Sequence, residues 1–413
     1  MDMDAGGQVV VLGAGIAGVS AALHLQQRGV SVLLLDRAKP GSGTSHGNAG
    51  LIEMSTALPH PCPQDLGTLV RYALNRAPDL RWQPGGLLGM AGGLYGYWRN
   101  SRPGRIGPIG ASFRALMGKA LDEHRALAVP AGAAGLLRDC GWLELVRDPR
   151  LLEVDRQAEV APHGIRVSRL DSAALERAEP HLRQPFAGAF HWQATVSITD
   201  PGAYVARLAA AFVARGGEVM AAKVQGVTRQ GAGWRIATTG GAVHAARVVV
   251  ALGPWSPDVL RPLGLRVPML FKRGYHRHFA AAEGTVLNHP VHVPGSGHLV
   301  VPMDMGIRVL TGVELAPRDA PPDLRQIRSA EAAARTYLAL AEALDPPWLG
   351  TRPCMPDMLP VIGEATAHPG LWLLFGHGHH GLTQGPASGR LLAELMTGEA
   401  PFIDPAPFSA HRL

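Results

Sequence analysis

The residues of this chain most clearly suited to chemistry are a glycine-rich turn, Gly13-Ala-Gly-Ile-Ala-Gly18, and the acidic residue Asp36. Gly13 permits a tight turn, Gly15 lets a pyrophosphate approach the backbone, and Gly18 lets a helix pack closely against a strand. The N-terminus of that helix would offer unpaired N–H groups and a partial positive charge to the phosphates. Asp36 could accept hydrogen bonds from both hydroxyls of a ribose. The spacing therefore predicts a site for an adenine dinucleotide.

The elements around this turn are those of a βαβ unit. Residues 8–12 form a short, valine-rich apolar run, which is typical of a strand buried on both faces. Residues 19–28 carry apolar side chains at helical spacing, and Gly29 follows where a helix C-terminus is expected. A second apolar strand is predicted over residues 31–35, directly before Asp36. Because these parts follow one another without interruption, the segment indicates a Rossmann-type fold and not an isolated glycine turn.

The segment after Asp36 distinguishes between the two common dinucleotides. Residues 41–51 read GSGTSHGNAGL, a long run of small residues. Such a loop could wrap a pyrophosphate and then a bulky ring, whereas NAD dehydrogenases usually continue with an ordinary βαβ repeat at this point. The sequence therefore favours FAD.

The later part of the chain contains a second strand–glycine loop–helix unit. Residues 371–375 are predicted as a strand, residues 376–385 as a loop rich in glycine and histidine, and residues 386–397 as a helix. The N-terminus of that helix could stabilise negative charge on a reduced flavin, or the unit could be one more buried βα turn. A three-stranded meander is predicted over residues 218–229, 234–239 and 242–250.

Composition and charge exclude several function classes. Hydrophobic residues make up 46% of the chain and charged residues 17%, as in ordinary globular proteins. The net charge is +6, but the basic residues form no runs with interleaved aromatic residues, so nucleic-acid binding is not expected. Cys62, Cys140 and Cys354 form no CxxC pair, so we expect neither a disulfide framework nor a zinc site.

The expected location is cytoplasmic. The chain has no run of 18 apolar residues that could span a membrane, and its beginning does not have the form of a signal peptide. Residues 82–98 are rich in apolar and aromatic side chains and are followed by arginines. They could rest on the inner face of a membrane, or they could form an internal helix or a lid of the substrate domain.

Further segments, in order along nearly the whole chain, carry a family resemblance. They are GTSHGNAG at 43–50, ITDP at 198–201, VVVALGPWS at 248–256, KRGYH at 272–276, RPCMPD at 352–357, PVIG at 360–363 and GHGHHG at 376–381. With these residues the chain resembles the D-amino acid oxidase superfamily of FAD-dependent oxidoreductases. It looks most similar to the small D-amino acid dehydrogenases, with glycine and sarcosine oxidases as relatives.

The resemblance implies an α/β fold with two interleaved domains. One is a Rossmann-type FAD-binding domain like that of glutathione reductase, and the other is an α+β substrate domain with a mostly antiparallel sheet. The FAD-binding domain is predicted over residues 1–85, 195–265 and 345–413. The substrate domain is predicted over residues 86–194 and 266–344.

The resemblance also implies which residues contact FAD. The flavin is expected to be held non-covalently, because His46 and Cys354 are offset from the positions at which covalent relatives attach it. The expected contacts are Gly13, Gly15, Ile16, Ala17, Gly18, Asp36, Arg37, Thr44, Ser45, His46, Asn48, Ala49, Gly50, Leu51, Val224, Ala251, Gly253, Trp255, Gly376, Gly378, His379, His380, Gly381, Leu382 and Thr383.

The catalytic residues that the resemblance implies begin with Arg352, whose planar guanidinium could hold a substrate carboxylate through two parallel hydrogen bonds. Tyr275 could donate to the same carboxylate, or His276 could take that role while Tyr275 packs in the core. His379 is expected to line the substrate pocket, and His46 to lie near the flavin ring. Histidines in the run 376–381 have no neighbouring carboxylate or cysteine in sequence, so no metal is predicted.

The reaction that the resemblance implies is oxidative deamination of a D-amino acid. Hydride would pass from Cα to flavin N5, and the imine would hydrolyse to a 2-oxo acid. A cyclic substrate such as D-proline or its hydroxylated form fits Arg352 equally well. The alternatives are a glycine- or sarcosine-type oxidase that releases hydrogen peroxide, and a flavoprotein subunit without activity. No motif decides between oxygen and a quinone as electron acceptor, or between a homo-oligomer and a hetero-oligomer.

Overall fold

The computed structural model describes residues 3–4, 7–183, 185–282 and 284–413 of the chain. Its strands are β1 Met3–Asp4, β2 Val9–Leu12, β3 Val32–Asp36, β4 Leu51–Ile52, β5 Leu80–Trp82, β6 Leu137–Arg138, β7 Trp142–Val146, β8 Val167–Asp171, β9 Gly188–Trp192, β10 Val196–Ile198, β11 Glu218–Ala221, β12 Val224–Gln230, β13 Gly233–Thr238, β14 Gly241–Ala245, β15 Arg247–Val250, β16 Leu270–Ala281, β17 Val291–His292, β18 His298–Met303, β19 Gly306–Thr311, β20 Val313–Leu315, β21 Leu340–Ala343, β22 Trp348–Cys354, β23 Val361–Glu364 and β24 Leu371–Phe375.

The helices lie between these strands and at the C-terminal side of the chain. They are α1 Ile16–Gln27, α2 Leu66–Ala73, α3 Pro84–Gly89, α4 Ala91–Asn100, α5 Pro103–Met117, α6 Ala120–Ala128, α7 Arg156–Val160, α8 Ser172–Ala178, α9 Pro201–Ala214, α10 Ser256–Leu260, α11 Arg325–Arg335 and α12 Gly381–Thr397.

The first structural unit is a six-stranded sheet in the order β11-β3-β2-β15-β24-β23, parallel except for the last pair. Its central strand β2 is buried on both faces, as its run of valines predicts. Val9 and Val11 contact the core beneath helices α1, α9 and α12, whereas Val10 and Leu12 contact the core on the other face. The sheet is therefore covered on both sides, and only its strand ends are free to bind a ligand.

The second face of this sheet is covered by a four-stranded sheet, β1-β14-β13-β12, whose Trp234 and Ile236 are fully buried against it. The predicted strand 218–229 is divided into β11 and β12, which belong to different sheets, and the predicted strand 242–250 is divided into β14 and β15. The first break has a clear cause. Ala222 N donates to the carbonyl of Asp36, whereas Lys223 N donates to Thr239 Oγ1. The backbone thus changes its partner strand between these two residues.

The third unit is a large sheet in the order β5-β20-β16-β19-β18-β17-β7-β9-β8, with β21 and β22 also paired to β16. Its pairs are antiparallel except β5–β20 and β7–β17, which confirms the expected substrate-domain sheet. The predicted domain bounds need correction at two places. Strands β5 and β22 belong to this sheet by hydrogen bonding, although residues 1–85 and 345–413 were assigned to the FAD-binding domain.

Helix α12 begins five residues before its predicted start, at Gly381, and Pro386 lies inside it. A proline has no N–H, so the carbonyl of Leu382, four residues earlier, loses its helical partner. His124 on α6 replaces that partner: its Nε2 lies 2.9 Å from the Leu382 oxygen, and its Nδ1 lies 2.9 Å from the Tyr204 hydroxyl. The helix therefore continues through the proline, and its N-terminus reaches further than the sequence indicated.

The apolar stretch 82–98 forms the end of β5 and helices α3 and α4. Tyr97 is buried, whereas Leu88 is 82% exposed and Tyr95 61% exposed. Within the described ranges, no helix combines the length and the apolar character needed to cross a membrane.

Candidate active site

A cleft opens between the six-stranded sheet and the large sheet, at the carboxyl ends of β2, β3 and β15, where open α/β sheets bind their ligands. It encloses a cavity of about 340 Å³. The predicted contacts that line it are Gly13, Gly15, Ile16, Ala17, Asp36, Arg37, Thr44, Ser45, Asn48, Val224, Ala251, Gly253, Trp255, Arg352, Gly378, His379, Gly381 and Leu382. Those that the structure places outside its lining are Gly18, His46, Ala49, Gly50, Leu51, Tyr275, His276, Gly376, His380 and Thr383.

The glycine turn has the geometry that a close ligand requires. Gly13 has φ of 107°, and a Cβ there would lie 2.4 Å from the carbonyl oxygen of Ala251. A Cβ on Gly18 would lie 1.8 Å from the Gly13 oxygen. Neither glycine can carry a side chain without displacing backbone, because both neighbours are main-chain atoms. Gly18 thus acts by bringing α1 close to the turn, not by touching the cleft.

Asp36 is held at the mouth of this turn by two backbone groups. Its Oδ2 accepts a hydrogen bond from Ala14 N at 2.7 Å, and its Oδ1 accepts one from Ala38 N at 2.9 Å. Nearby, the guanidinium of Arg37 lies 4.1 Å from the centre of the Trp255 ring. These side chains and Val224 together form the end of the cleft nearest β3.

The loop after β3 carries Ser45 to the N-terminus of α1, where Ile16 N donates to Ser45 Oγ at 3.0 Å. The first turn of α1 contains no acidic residue, so its positive end is available to an anion. Arg308 anchors the same loop from below. It is 1% exposed, and its Nη1 donates to the carbonyl oxygens of His46 and Asn48. Arg308 was missed in the sequence, where its only signal is a lone charge in the apolar strand β19.

His46 and His276 lie next to this loop but behind Trp348. The Trp348 ring lines the cleft, and His276 stacks on it with ring centres 4.9 Å apart. His46 contacts the same ring edge-on at 5.7 Å. Burial, followed by the positive charge of Arg308, lowers the pKa of His276 to about 2. The structure therefore presents the tryptophan, which sequence reasoning missed, to the cleft in place of the two histidines.

Arg352 lies on β22, where its Cα pairs with that of Lys272 on β16. Its guanidinium occupies the space above Gly274, because a Cβ built there would stand 2.6 Å from Nη2. Nη1 donates to the carbonyl oxygens of Gly312 and Arg273, at 3.0 and 3.4 Å. Within the described part of the chain, Arg352 forms no ion pair with a carboxylate. Its Nε and Nη2 donors therefore remain available at the cleft.

Side chains of a strand alternate between its two faces, and this decides which residues of β16 belong to the site. Lys272, Gly274 and His276 share the face on which Arg352 lies, whereas Tyr275 points to the opposite face. Of the five consecutive residues of the KRGYH motif, only every second one therefore lies on the cleft side of the sheet.

Tyr275 is 2% exposed and its hydroxyl is fully engaged in the substrate domain. It donates to Glu314 Oε2 at 2.8 Å and accepts from Arg273 Nη2 at 3.2 Å and from Asp323 N at 2.7 Å. Burial and the hydrogen bond to Glu314 raise the pKa of Tyr275 to about 12. The structure does not bring Tyr275 to Arg352, so the expected contact of this hydroxyl with a substrate carboxylate is replaced by a structural role.

The C-terminal glycine loop closes the other end of the cleft. Gly376 and Gly378 adopt positive φ values of 88° and 58°, which turns the chain from β24 into α12. Helix α12 has no acidic residue in its first turn, and its first residues, Gly381 and Leu382, line the cleft. Thr383 instead ties the helix to β4, because its hydroxyl donates to the carbonyl of Leu51 at 3.1 Å. A positive helix end thus faces the cleft.

A side cavity of about 20 Å³ adjoins the cleft, and His379 lines both. Burial, followed by the positive charge of Arg352, holds the pKa of His379 well below its ordinary value, so its ring is neutral at pH 7. His60 and Lys272, neither of which sequence reasoning selected, also line this side cavity. Its full lining is Pro59, His60, Lys272, Cys354, Met355, Met358, Gly376, His377, Gly378, His379 and His380.

Two groups of titratable side chains lie beside the site. Glu53, His60 and His380 form one, with His380 Nδ1 3.6 Å from Glu53 Oε2. The other contains His278, whose Nδ1 lies 2.5 Å from Asp345 Oδ2 and whose Nε2 accepts from Arg308 at 2.9 Å. Both nitrogens of His278 are therefore used. We assign no ion to either group, and the sequence-based expectation of no metal stays a prediction.

These features fit an FAD. A glycine turn that excludes side chains, an acid at the end of β3, two positive helix ends and a long loop of small residues border one continuous cleft. A large antiparallel sheet covers it and carries Arg352. The fold and the site thus define a two-domain oxidoreductase of the FAD-binding Rossmann type.

Comparison with known proteins gives the family. A family model described as DAO, FAD dependent oxidoreductase, matches residues 8–395. The chain therefore belongs to the DAO family of FAD-dependent oxidoreductases, which confirms the expected cofactor. A D-amino-acid oxidase of Bradyrhizobium diazoefficiens is 29% identical over 433 residues, covering 99% of this chain and 100% of the relative. A D-amino acid dehydrogenase of Chromohalobacter salexigens is 30% identical over 428 residues, covering 98% and 99%.

Solved structures confirm the fold. A glycine oxidase from Geobacillus kaustophilus superposes with a TM-score of 0.70 at 22% identity, covering 98% of both chains. An L-amino acid deaminase from Proteus vulgaris superposes with a TM-score of 0.72 at 21% identity, covering 100% of this chain and 95% of the other.

Proposed function

We propose that this enzyme oxidises an amino acid at its α-carbon, with D-amino acids, cyclic ones included, as the favoured substrates. A bound FAD would supply a hydride acceptor for Cα–H; a primary amine would then become an imine that water hydrolyses to a 2-oxo acid and ammonia, whereas a cyclic substrate would become a cyclic imine and release no ammonia. The family supports a flavin-dependent oxidation, and the names of the relatives, D-amino-acid oxidase and D-amino acid dehydrogenase, support the substrate.

The observation that carries this proposal is Arg352. The Arg352 guanidinium lies at the cleft and has no carboxylate partner in the described chain. Holding such a charge without a counter-charge costs free energy, which an anionic ligand would offset. Because Nη1 is occupied by two backbone carbonyls, Nε and Nη2 form the side that can hold a carboxylate through two parallel hydrogen bonds. Such a grip fixes the orientation of the α-carbon, and orientation supplies much of the catalytic effect in hydride transfer.

The remaining parts of the site have supporting roles. The neutral ring of His379 can accept a hydrogen bond from the substrate amino group without competing for positive charge. The N-terminus of α12, which lines the cleft, would stabilise negative charge on a bound flavin. We propose that FAD contacts the cleft-lining residues given above, and that Gly18, Ala49, Gly50, Leu51 and Thr383 act by holding the backbone around it.

A glycine- or sarcosine-type oxidase is the second candidate, since other relatives are named glycine oxidase. One from Pseudomonas aeruginosa is 26% identical over 413 residues. The two candidates differ in the substrate that the cleft accepts and in the acceptor that reoxidises the flavin. We propose oxygen or a quinone as that acceptor.

One experiment tests these proposals together. The purified holoenzyme is mixed anaerobically with D- and L-amino acids, D-proline, glycine and sarcosine, and loss of flavin absorbance is followed. We expect D-amino acids to reduce the flavin and their L-enantiomers not to. Reduction by glycine and sarcosine alone would favour the second candidate. Repeating the reaction in air with peroxide detection, and separately with a soluble quinone, identifies the acceptor.

A further inference from the structure

The side cavity contains a second buried cation that the proposed reaction does not use. Lys272 is 7% exposed and lines this cavity together with His60 and His379. Its ammonium lies 3.7 Å from the centre of the Tyr97 ring. In the described part of the chain it forms no ion pair with a carboxylate.

A buried ammonium needs a partner to offset the loss of its water shell. The ring face and the hydroxyl of Tyr97 supply only part of that compensation, because neither carries a negative charge. Glu53, the acid of the neighbouring Glu53, His60 and His380 group, is already occupied: Thr56 donates to its Oε1, and His380 lies beside its Oε2. The charge of Lys272 is therefore left for a molecule that enters the cavity.

The position of Lys272 relates this charge to Arg352. The two residues are directly opposed on the antiparallel strands β16 and β22, so their side chains leave the sheet on the same face. Gly274, also on that face, adds no side chain of its own. The side cavity and the cleft share His377, Gly378 and His379 in their linings, so the two spaces adjoin at these residues.

We propose that Lys272 is a subsite for a second anionic group, and that the enzyme acts on dicarboxylic amino acids of the size of aspartate or glutamate. The α-carboxylate binds Arg352, and the side-chain carboxylate enters the side cavity, whose volume of about 20 Å³ exceeds the roughly 10–15 Å³ that one water molecule requires. This inference rests on the proposed function and narrows its substrate class.

The test compares acids with their isosteric amides. Anaerobic flavin reduction is measured for D-aspartate against D-asparagine and for D-glutamate against D-glutamine. In the wild type we expect kcat/KM to favour the acid by roughly 10- to 100-fold, as one charge-assisted hydrogen bond supplies. Lys272→Met should remove this preference by lowering the value for the acid, while the value for the amide changes by less than about threefold.

Matched variants keep the test decisive. Lys272→Arg retains a cation and should retain the preference, whereas Lys272→Glu should lower the value for the acid further than Lys272→Met does, because two negative charges then face each other. Lys119→Met, which removes a half-exposed surface lysine, should leave every ratio unchanged. Flavin content and Tm establish that each variant is folded.

The outcomes separate this inference from the proposed function. If neutral D-amino acids reduce the wild-type flavin as fast as acidic ones, the subsite is refuted while the proposed function stands. Equal losses for acid and amide in Lys272→Met would refute it too. If no amino acid reduces the wild-type flavin, the proposed function itself fails.

Discussion

Replacing Arg352 by methionine keeps most of the side-chain volume and removes the charge and every N–H donor. Since Nη1 is held by the carbonyls of Gly312 and Arg273, the substrate would lose the two bonds offered by Nε and Nη2. A hydrogen bond to a charged group contributes about 1.5–3 kcal/mol, so the pair contributes roughly 3–6 kcal/mol. The expected loss in kcat/KM is therefore about 100- to 20,000-fold.

The assay is stopped-flow reduction of the flavin under anaerobic conditions. The two substrates are a D-amino acid and its α-amide, in which a neutral carboxamide replaces the α-carboxylate. The wild type should discriminate strongly between the two, and Arg352→Met should not. Arg352→Lys keeps the charge but cannot form the planar pair, so we expect an intermediate loss of about 10- to 100-fold. Arg325→Met serves as the control, because that side chain is 66% exposed and its ion pair with Asp323 does not line the cleft.

Two results would refute the reasoning. One is a loss of less than about threefold for the acid in Arg352→Met, which would mean that its charge does not contact substrate. The other is an equal loss for acid and amide, which would mean that the arginine only supports the strands around Gly312.

Other expectations follow from the same structure. Gly274→Ala places a Cβ where Nη2 of Arg352 lies, so we expect KM to rise by about tenfold with little change in Tm, measured by steady-state kinetics and calorimetry. Burial lowers the pKa of His124 to about 4, so between pH 6.5 and 4 the unfolded chain binds a proton there that the native chain does not, and stability falls as pH falls. The free energy of unfolding, measured with urea at several pH values, should therefore fall less in His124→Gln than in the wild type. The difference should reach up to about 3 kcal/mol between pH 6.5 and 4. Acid precipitation should release the flavin as free FAD into the supernatant, and flavin left on the pellet would show covalent attachment. More wild-type protein than Leu66→Glu, Leu88→Glu protein should sediment with vesicles that contain anionic lipid, because these two leucines are 76% and 82% exposed on α2 and α3. Equal amounts in the pellet would argue against a membrane contact through these helices.

The cofactor cleft was predictable because its main parts are local in sequence. The turn from Gly13 to Gly18 and the acid Asp36 belong to one βαβ unit, and short-range sterics decide their geometry. The same holds for the apolar runs that became β2 and β3. The start of α12 was not predictable in this way. A helix through Pro386 requires His124, from a distant helix, to satisfy the carbonyl of Leu382.

Which residues of KRGYH reach the cleft was decided by pairing, not by the motif. Because side chains alternate along β16, Tyr275 contacts Glu314 on one face of the sheet, and Lys272 lies on the other face with Arg352. The register of β16 with β22 decides which residues share the face of Arg352. The Trp348 ring, likewise, stands between the cleft and two histidines that the resemblance had placed in it.

The sequence by itself thus determined the class of the protein: a flavin dinucleotide is recognised by backbone groups and glycines whose arrangement is encoded within about thirty residues. At the substrate end the sequence offered Arg352 and His379 as candidates, and only the tertiary structure showed which side chains surround them. Arg352, Lys272, His379 and His60 come from strands and loops far apart in the chain, and a buried charge has no functional meaning until its neighbours show whether it is paired. In this fold neither Arg352 nor Lys272 is paired with a carboxylate of the described residues, and that shared lack of a partner is the reason we propose an anionic substrate for both.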